Sequence, residues 1–253
     1  MTFILVAPNG ARKTKADHSR IPLSHMEIVE ESLACFAAGA AGVHLHVRND
    51  DGTHCLDINR YAKLLDTLRA EAPGLYLQIT TEAGGIYAPA EQRAVVDTLH
   101  PDGVSVAVRE MAAEPNTTLL ADWYASTTSR GVEIQHIVYD LSDLQTLMTW
   151  SAQGIVGDAL SVLIVLGRYH PMQQSSLADL DAIHPSITAC SAISKRMVCA
   201  FGPAEQACLL HSIQQGYDVR IGFENNHFRT DGSLADSNVE QLKNLICSSP
   251  DLI

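Results

Sequence analysis

Two histidines one residue apart, in the run Val43-His44-Leu45-His46-Val47-Arg48, are the first side chains here whose types and spacing could do chemistry. The run is strand-like, and a strand turns successive side chains to opposite faces. His44, His46 and Arg48 therefore share one face, and Val43, Leu45 and Val47 share the other. Two imidazoles one strand step apart are a ready pair of nitrogen ligands for zinc or a similar divalent ion. A lone His-x-His is commonly a chance pairing or a satisfied buried pair, so its meaning depends on a third ligand. The run Arg220-Ile-Gly-Phe-Glu-Asn-Asn226 offers one, because by the same alternation Arg220, Gly222 and Glu224 share a face. Two imidazoles and one carboxylate leave a coordination position open, which marks a catalytic site rather than a structural one.

Whether Glu224 can reach the histidines depends on the elements that carry them. Residues 2–7 read as a buried strand ending in the turn Pro8-Asn9-Gly10, followed by a basic loop with Arg12, Lys13, Lys15, His18 and Arg20. Ser24 with Glu27 matches a capping box and opens a helix that runs to Gly39. Strands are then expected at 41–48, 75–81, 103–108, 133–139, 159–166, 197–201 and 218–223. Helices are expected at 58–71, 91–99, 117–129, 141–152 and 177–189, then from Pro203 to Gly216. A last helix at 237–247 puts Val239, Leu242 and Ile246 on one face. Eight strand-then-helix units without a long linker imply parallel pairing and right-handed crossovers. In 253 residues this is the size of one closed (β/α)8 barrel spanning residues 1–253. An open doubly wound sheet is the alternative, but no GxGxxG follows the first strand. In a closed barrel, strands two and eight both flank strand one. Glu224 can then meet His44 and His46 above it, at the end of the strands where barrel active sites lie.

Other strand ends add polar groups to the same mouth: Thr80, Thr81 and Glu82, then Ser105 and Arg109, then Gln135 and Tyr139. Arg12, Arg48, Arg109, Arg168 and Arg220 fall at this rim in a chain with 17 Lys and Arg against 29 Asp and Glu. Any one of them would ordinarily pair with a rim carboxylate such as Asp50 or Asp51. Five at one mouth point to an anionic substrate, a carboxylate or a phosphate. Lys195 and Arg196 are expected at the opposite, structural end. The formal charge of −12 weighs against a nucleic-acid partner, and 46% apolar residues allow a full core. No window approaches the roughly 20 apolar residues of a membrane span. No leader of the signal-peptide type is evident either, so a cytoplasmic protein is expected. The six cysteines show no CxxC pairing, and no disulfides are expected.

Four stretches taken together resemble the β-keto acid cleavage enzymes, a group that includes 3-keto-5-aminohexanoate cleavage enzyme. They are Ala7-Pro-Asn-Gly-Ala11, Ala38-Gly-Ala-Ala-Gly-Val-His-Leu-His-Val-Arg48, Gln78-Ile-Thr-Thr81 and Val219-Arg-Ile-Gly-Phe-Glu-Asn-Asn226, and the resemblance runs through nearly the whole chain. It implies a divalent metal, usually zinc, on His44, His46 and Glu224. It also implies a Claisen-type exchange in which a β-keto acid and acetyl-CoA give acetoacetate, or its CoA ester, and a new acyl-CoA. By the same resemblance Arg220 orients a neighbouring acid and stabilises developing negative charge, while Thr80 or Thr81 and Ser105 bond the substrate carboxylate. Asn9, Arg12, Arg48 and Arg109 complete the expected substrate contacts, and a homo-oligomer, dimer or tetramer, is implied.

Three departures from the family pattern bear on the reaction. The residue after the metal glutamate is typically an acid–base Asp; here it is Asn225, which leaves Glu82 or another group to handle the proton. The first loop often carries an acid that suits an amino-bearing substrate, where this chain has Arg12. Glu82 stands where glycine is common and puts a carboxylate at the mouth. Two other readings stay open. One is a metal-dependent barrel hydrolase, although such enzymes carry the His pair on the first strand with further His ligands. The other is a metal-bound barrel that binds an anionic metabolite without turning it over.

Overall fold

The computed structural model describes residues 2–169 and 172–250; the other six residues of the expected 1–253 unit lie outside them. Its strands are β1 (Ile4–Val6), β2 (Gly42–Leu45), β3 (Tyr76–Thr80), β4 (Gly103–Ala107), β5 (Glu133–Val138), β6 (Leu160–Leu166), β7 (Ile193–Ala200) and β8 (Asp218–Ile221). They form a closed barrel in the order of the chain, every pair parallel. Closure is made by β1, where Leu5 is in register with Gly42 of β2 on one side and Arg220 of β8 on the other. That adjacency brings the histidine strand and the glutamate strand within reach of each other.

The connecting helices are α1 (His25–Ala37), α2 (Ile58–Glu71), α3 (Pro89–Leu99), α4 (Val108–Met111), α5 (Thr117–Ser129), α6 (Leu141–Ala152), α7 (Leu177–Ala189), α8 (Glu205–Gln214) and α9 (Asn238–Ser248). Their starts are set by side-chain caps at Ser24, Asp57, Asn116, Asp140 and Ser237, each accepting from the first turn's backbone. At α1 the capping box closes in both directions, with Glu27 accepting from the Ser24 N–H at 3.0 Å. No helix among the described residues is long and apolar enough to cross a membrane.

Most strands are shorter than their apolar runs suggested, because the last residues of those runs already belong to the mouth loops; β6 ends where expected, and β7 is longer, starting at Ile193 rather than at 197. Pro203 is not the first residue of α8; it lies in a turn, and the helix starts two residues later at Glu205. The one-turn helix α4 directly after β4 had no sequence signal of its own. On α9 the expected Leu242 is buried and Val239 and Ile246 pack half-buried against the core, while Asn238, Gln241 and Leu245 are buried too, the first two bonding the loop after β8.

One apolar layer lies between barrel and helices. A second fills the inside of the barrel along β4 to β7 and β1, through Leu5, Ile137, Leu163, Val165, Met197 and Phe201. Against it, β2, β3 and β8 present His44, Gln78, Thr80 and Arg220, all buried. The interior is thus mostly apolar on one side and polar on the other, with Ser105 of β4 and Gln135 of β5 as buried polar residues on the apolar side. Lys195 and Arg196 fall at the other end, with Phe3, Tyr76 and Asp218, as expected.

Gly222 lets β8 end abruptly. Its φ of +137° is closed to side chains, and a Cβ there would stand 2.5 Å from the Ala7 carbonyl oxygen. Gly222→Ala is expected to destabilise the protein by about 3 kcal/mol or more in urea unfolding. A change within roughly 0.5 kcal/mol would mean that this turn is not tightly held.

Candidate active site

At the mouth of the barrel three ligand atoms converge. His44 Nε2 and His46 Nε2 are 3.1 Å apart, and Glu224 Oε2 is 3.6 Å from the first and 3.4 Å from the second. Ligands held about 2.0–2.1 Å from one tetrahedral ion stand about 3.4 Å from each other, so these spacings are those of a metal cage. The three residues form the one His/Cys/Asp/Glu group of that geometry among the described residues.

Glu224 arrives through the loop that follows β8. Its N–H donates to the Ala7 carbonyl at 3.1 Å, and those of Asn225 and Asn226 donate to the Gly222 carbonyl. The side chain then crosses above β1, where Gly10 makes room: a Cβ at Gly10 would lie 2.5 Å from Glu224 Cγ. Asn9 fixes the histidine side, its Nδ2 donating to the carbonyls of His46 at 2.9 Å and Pro22 at 3.0 Å. On the far side of the loop, Glu205 accepts from Gly222 N–H and Asn226 Nδ2, while Asn238 accepts from Phe223 N–H at 2.7 Å.

The electrostatics suit a cation. Burial, reinforced by the nearby Arg220, holds His44 well below the ordinary imidazole pKa, so it is a neutral ligand. Burial would push the Glu224 carboxyl up, but Arg220 and the two imidazoles overcome it and hold the group well below the usual carboxylate range. Arg220 Nη2 reaches Glu224 Oε1 at 3.2 Å and Cys199 Sγ at 3.4 Å. Its Nε and Nη1 are buried and have no hydrogen-bond partner among the described residues, and the same holds for Ser105 Oγ and both amide atoms of Asn225. Buried polar atoms are nearly always satisfied, so the free donors of Arg220 and Ser105, which line one cavity, are available to a ligand there.

That cavity is lined by Thr80, Glu82, Ser105, Arg168, Arg220 and Glu224, among others. Of the two threonines, only Thr80 faces it. Thr81 points away and donates to the Ser105 carbonyl at 2.8 Å, as the alternation of the strand requires. Glu82 lies between two guanidiniums, Arg12 at 3.8 Å and Arg168 at 3.6 Å. The other two arginines do not take the part expected of them. Arg48 is buried and committed to backbone carbonyls, those of Gly10, Gly52 and Lys13, so it staples the first loop rather than facing the cavity. Arg109 is clamped by Asp140 and Asp143 and packs on the rings of Tyr139 and Tyr169. Asp50, offered as an arginine partner at the rim, pairs with Arg60 instead.

Three charged groups near the site were not singled out from the sequence. Glu110 lines the cavity, and burial raises its carboxyl. Lys13 donates to the Phe223 carbonyl at 2.8 Å, and burial lowers its ammonium to about 8. Glu205 is fully buried behind the Glu224 loop, and burial raises it to about 8. Nothing in a local pattern marks a helix-starting glutamate as buried; only the packing of α8 against β8 does so.

An eight-stranded barrel with two imidazoles, a carboxylate and unpaired guanidinium donors at its mouth has the layout of a barrel enzyme that handles an anionic substrate. Residues 1–247 match the family model described as beta-keto acid cleavage enzyme. The chain belongs to that family and is an enzyme of carbon–carbon bond cleavage. It is 30% identical to a 3-oxoadipate:acetyl-CoA acetyltransferase of Cupriavidus necator, over 93% of this chain and 84% of the relative. It is 27% identical to a 3-keto-5-aminohexanoate cleavage enzyme of Fusobacterium nucleatum, over 96% of this chain and 89% of the relative. Among solved structures, a binary complex of ObcA with oxaloacetate shares the fold with a TM-score of 0.74 at 17% identity. The match covers 90% of this chain and 63% of that longer one.

Glu205 gives the site loop a pH signature. Its carboxyl titrates near 8 in the folded chain against an ordinary 4.5, so the folded state holds the proton more tightly than the unfolded state. Its stabilising effect is full below about pH 4.5 and is lost as pH rises through about 8. Glu205→Gln, which keeps one acceptor oxygen and cannot ionise, should therefore flatten the loss of stability between those pH values. Chemical denaturation of both proteins at pH 5 and pH 8.5 checks it; parallel curves would contradict a protonated Glu205.

Proposed function

We propose that this enzyme exchanges the acyl part of an anionic β-keto acid with acetyl-CoA, using a divalent metal held by His44, His46 and Glu224. The observation that carries the reading is the pairing of that three-ligand cage with buried, unpartnered donors on Arg220 and Ser105 in one cavity. In the exchange the carbon–carbon bond next to the keto group breaks and an equivalent bond forms to the acetyl carbon. The acetyl–sulfur bond of acetyl-CoA breaks as the new carbon–carbon bond forms, and the CoA sulfur takes the released acyl group, so that acetoacetate and a new acyl-CoA result. A bound ion, zinc by its donor set of two nitrogens and one oxygen, would supply a Lewis acid for the keto and carboxylate oxygens.

The chain's own residues supply the rest. Arg220, whose Nε and Nη1 have no partner among the described residues, offsets the negative charge that develops on the reacting oxygens. Ser105 and Thr80 offer hydroxyls to the substrate carboxylate. Asn225 has no basic site for a proton, so Glu82, which reaches the same cavity, is the group we assign to accept it. The substrate's distal end meets Arg12 and Arg168 around Glu82, which suits a second anionic group. The name of the Cupriavidus necator relative, which acts on 3-oxoadipate, supports a dicarboxylic keto acid over an amino-bearing one.

Metal analysis of the purified protein and its Glu224→Ala variant tests the centre; about one zinc per chain is expected, lost in the variant. A panel of keto acids with acetyl-CoA tests the reaction. Dicarboxylic β-keto acids should turn over and amino-bearing ones should not. Arg12→Glu should lower kcat/KM for the dicarboxylic substrate by about tenfold, an effect of about 1.4 kcal/mol. Glu82→Gln should lower kcat by roughly 10²–10⁴. Full activity in Glu82→Gln would move the proton to another group, and a metal-loaded protein inert across the panel would leave a binder.

A further inference from the structure

The metal-facing nitrogen of His44 is kept bare from deep inside the barrel. His44 Nδ1 lies 2.8 Å from Gln78 Oε1, Gln78 Nε2 lies 3.2 Å from Gln135 Oε1, and Gln135 Nε2 lies 3.4 Å from the sulfur of Met197. All four side chains are buried, and they span β2, β3, β5 and β7. An amide can be turned end for end, so a chain of two amides has two self-consistent directions. In one, His44 donates from Nδ1 and leaves Nε2 bare for a metal. In the other, Gln78 donates to Nδ1, the ring proton sits on Nε2, and the ligand position is blocked.

The terminus decides between them. A thioether has no hydrogen to give, so Met197 can only accept, and Gln135 must present its NH2 end. Gln135 Oε1 then faces Gln78 and takes a proton from Nε2, which turns Gln78 Oε1 toward the imidazole. His44 must carry its proton on Nδ1. Tyr76 also hydrogen-bonds Gln78, but a hydroxyl donates or accepts as needed and sets no direction.

We infer that Gln78, Gln135 and Met197 are positioning residues that fix the His44 tautomer and so preset one ligand of the metal centre. This rests on the metal reading above. The two histidines differ in this respect, because His46 Nδ1 is buried without a hydrogen-bond partner among the described residues. His44 is the preset ligand, and His46 has to settle its proton when an ion arrives.

The test is a long-range ¹H–¹⁵N correlation of the imidazoles in metal-depleted, full-length protein, joined to a competition titration with Zn²⁺. The wild type should show His44 wholly as the Nδ1–H form. Met197→Leu keeps the volume but removes the acceptor. It should populate the Nε2–H form and weaken Zn²⁺ binding by about tenfold, within the range for groups behind metal ligands. Gln78→Leu should weaken it by roughly 10–100-fold. Gln78→Glu presents a carboxylate that only accepts, so it should keep the Nδ1–H form and near-wild-type binding even with the link to Met197 reversed. His44 remaining wholly Nδ1–H in Met197→Leu, with unchanged Zn²⁺ affinity, would overturn the inference. A wild type that binds no Zn²⁺ would sink the metal reading instead, and the tautomer spectra would still decide this one.

Discussion

Everything at the active end of this protein depends on the crossing of the Glu224 side chain over β1. Two imidazoles can be delivered by a single strand, but a third ligand must come from elsewhere in the chain, and here it comes from 178 residues further on than His46. Barrel closure makes the neighbouring strands available, with β1 in register with both β2 and β8. The crossing itself needs a bare backbone beneath it, which Gly10 supplies, and an abrupt end to β8, which Gly222 supplies. A methyl group at either glycine would meet Glu224 or the Ala7 carbonyl, so neither position can be filled without moving the ligand.

The loops around that crossing are held by groups that never touch a ligand. Arg48 gathers the carbonyls of the first loop, Asn9 ties that loop to the backbone of His46, and Glu205 with Asn238 holds the turn after Gly222. Burying this much polarity is costly unless it is paired, and most of it is paired with backbone. Among the polar atoms left unpaired in the described residues, those of Arg220 and Ser105 line the cavity, while others, such as those of Trp123, Tyr124 and His136, lie away from it. At the mouth itself, whether a buried arginine is spent on backbone carbonyls or keeps donors toward the cavity separates scaffold from site better than its identity does.

That contrast explains what could be read from the chain and what could not. Period-two alternation and the count of strand–helix units were enough to pair His44 and His46 with Glu224 and to name the barrel, because those follow from backbone geometry. They could not distinguish Arg48 from Arg220. Both are arginines on the inner face near a strand end, yet one is absorbed by the carbonyls of Gly10 and Lys13 and the other keeps two donors free. Arg109 was misread for a similar reason: the one-turn helix α4 carries it sideways into the carboxylates at the start of α6. Thr81 failed on parity alone, one residue out of phase with Thr80. Glu205 and Lys13 were invisible because their burial comes from segments far apart in sequence.

Asn225 is where sequence and structure together say most about chemistry. An aspartate there would be a second buried carboxylate beside Glu224 in the chain. With an amide there, the chain carries one negative charge fewer beside a cavity that already contains Glu224, Glu82 and Glu110. An incoming dianion meets less repulsion as a result, and the arginines flanking Glu82 act in the same direction. On the proposed reading, Asn225 and Arg12 act in the same electrostatic direction. The amide at position 225, on that reading, favours a more negative substrate and leaves the proton to Glu82, on the loop after β3.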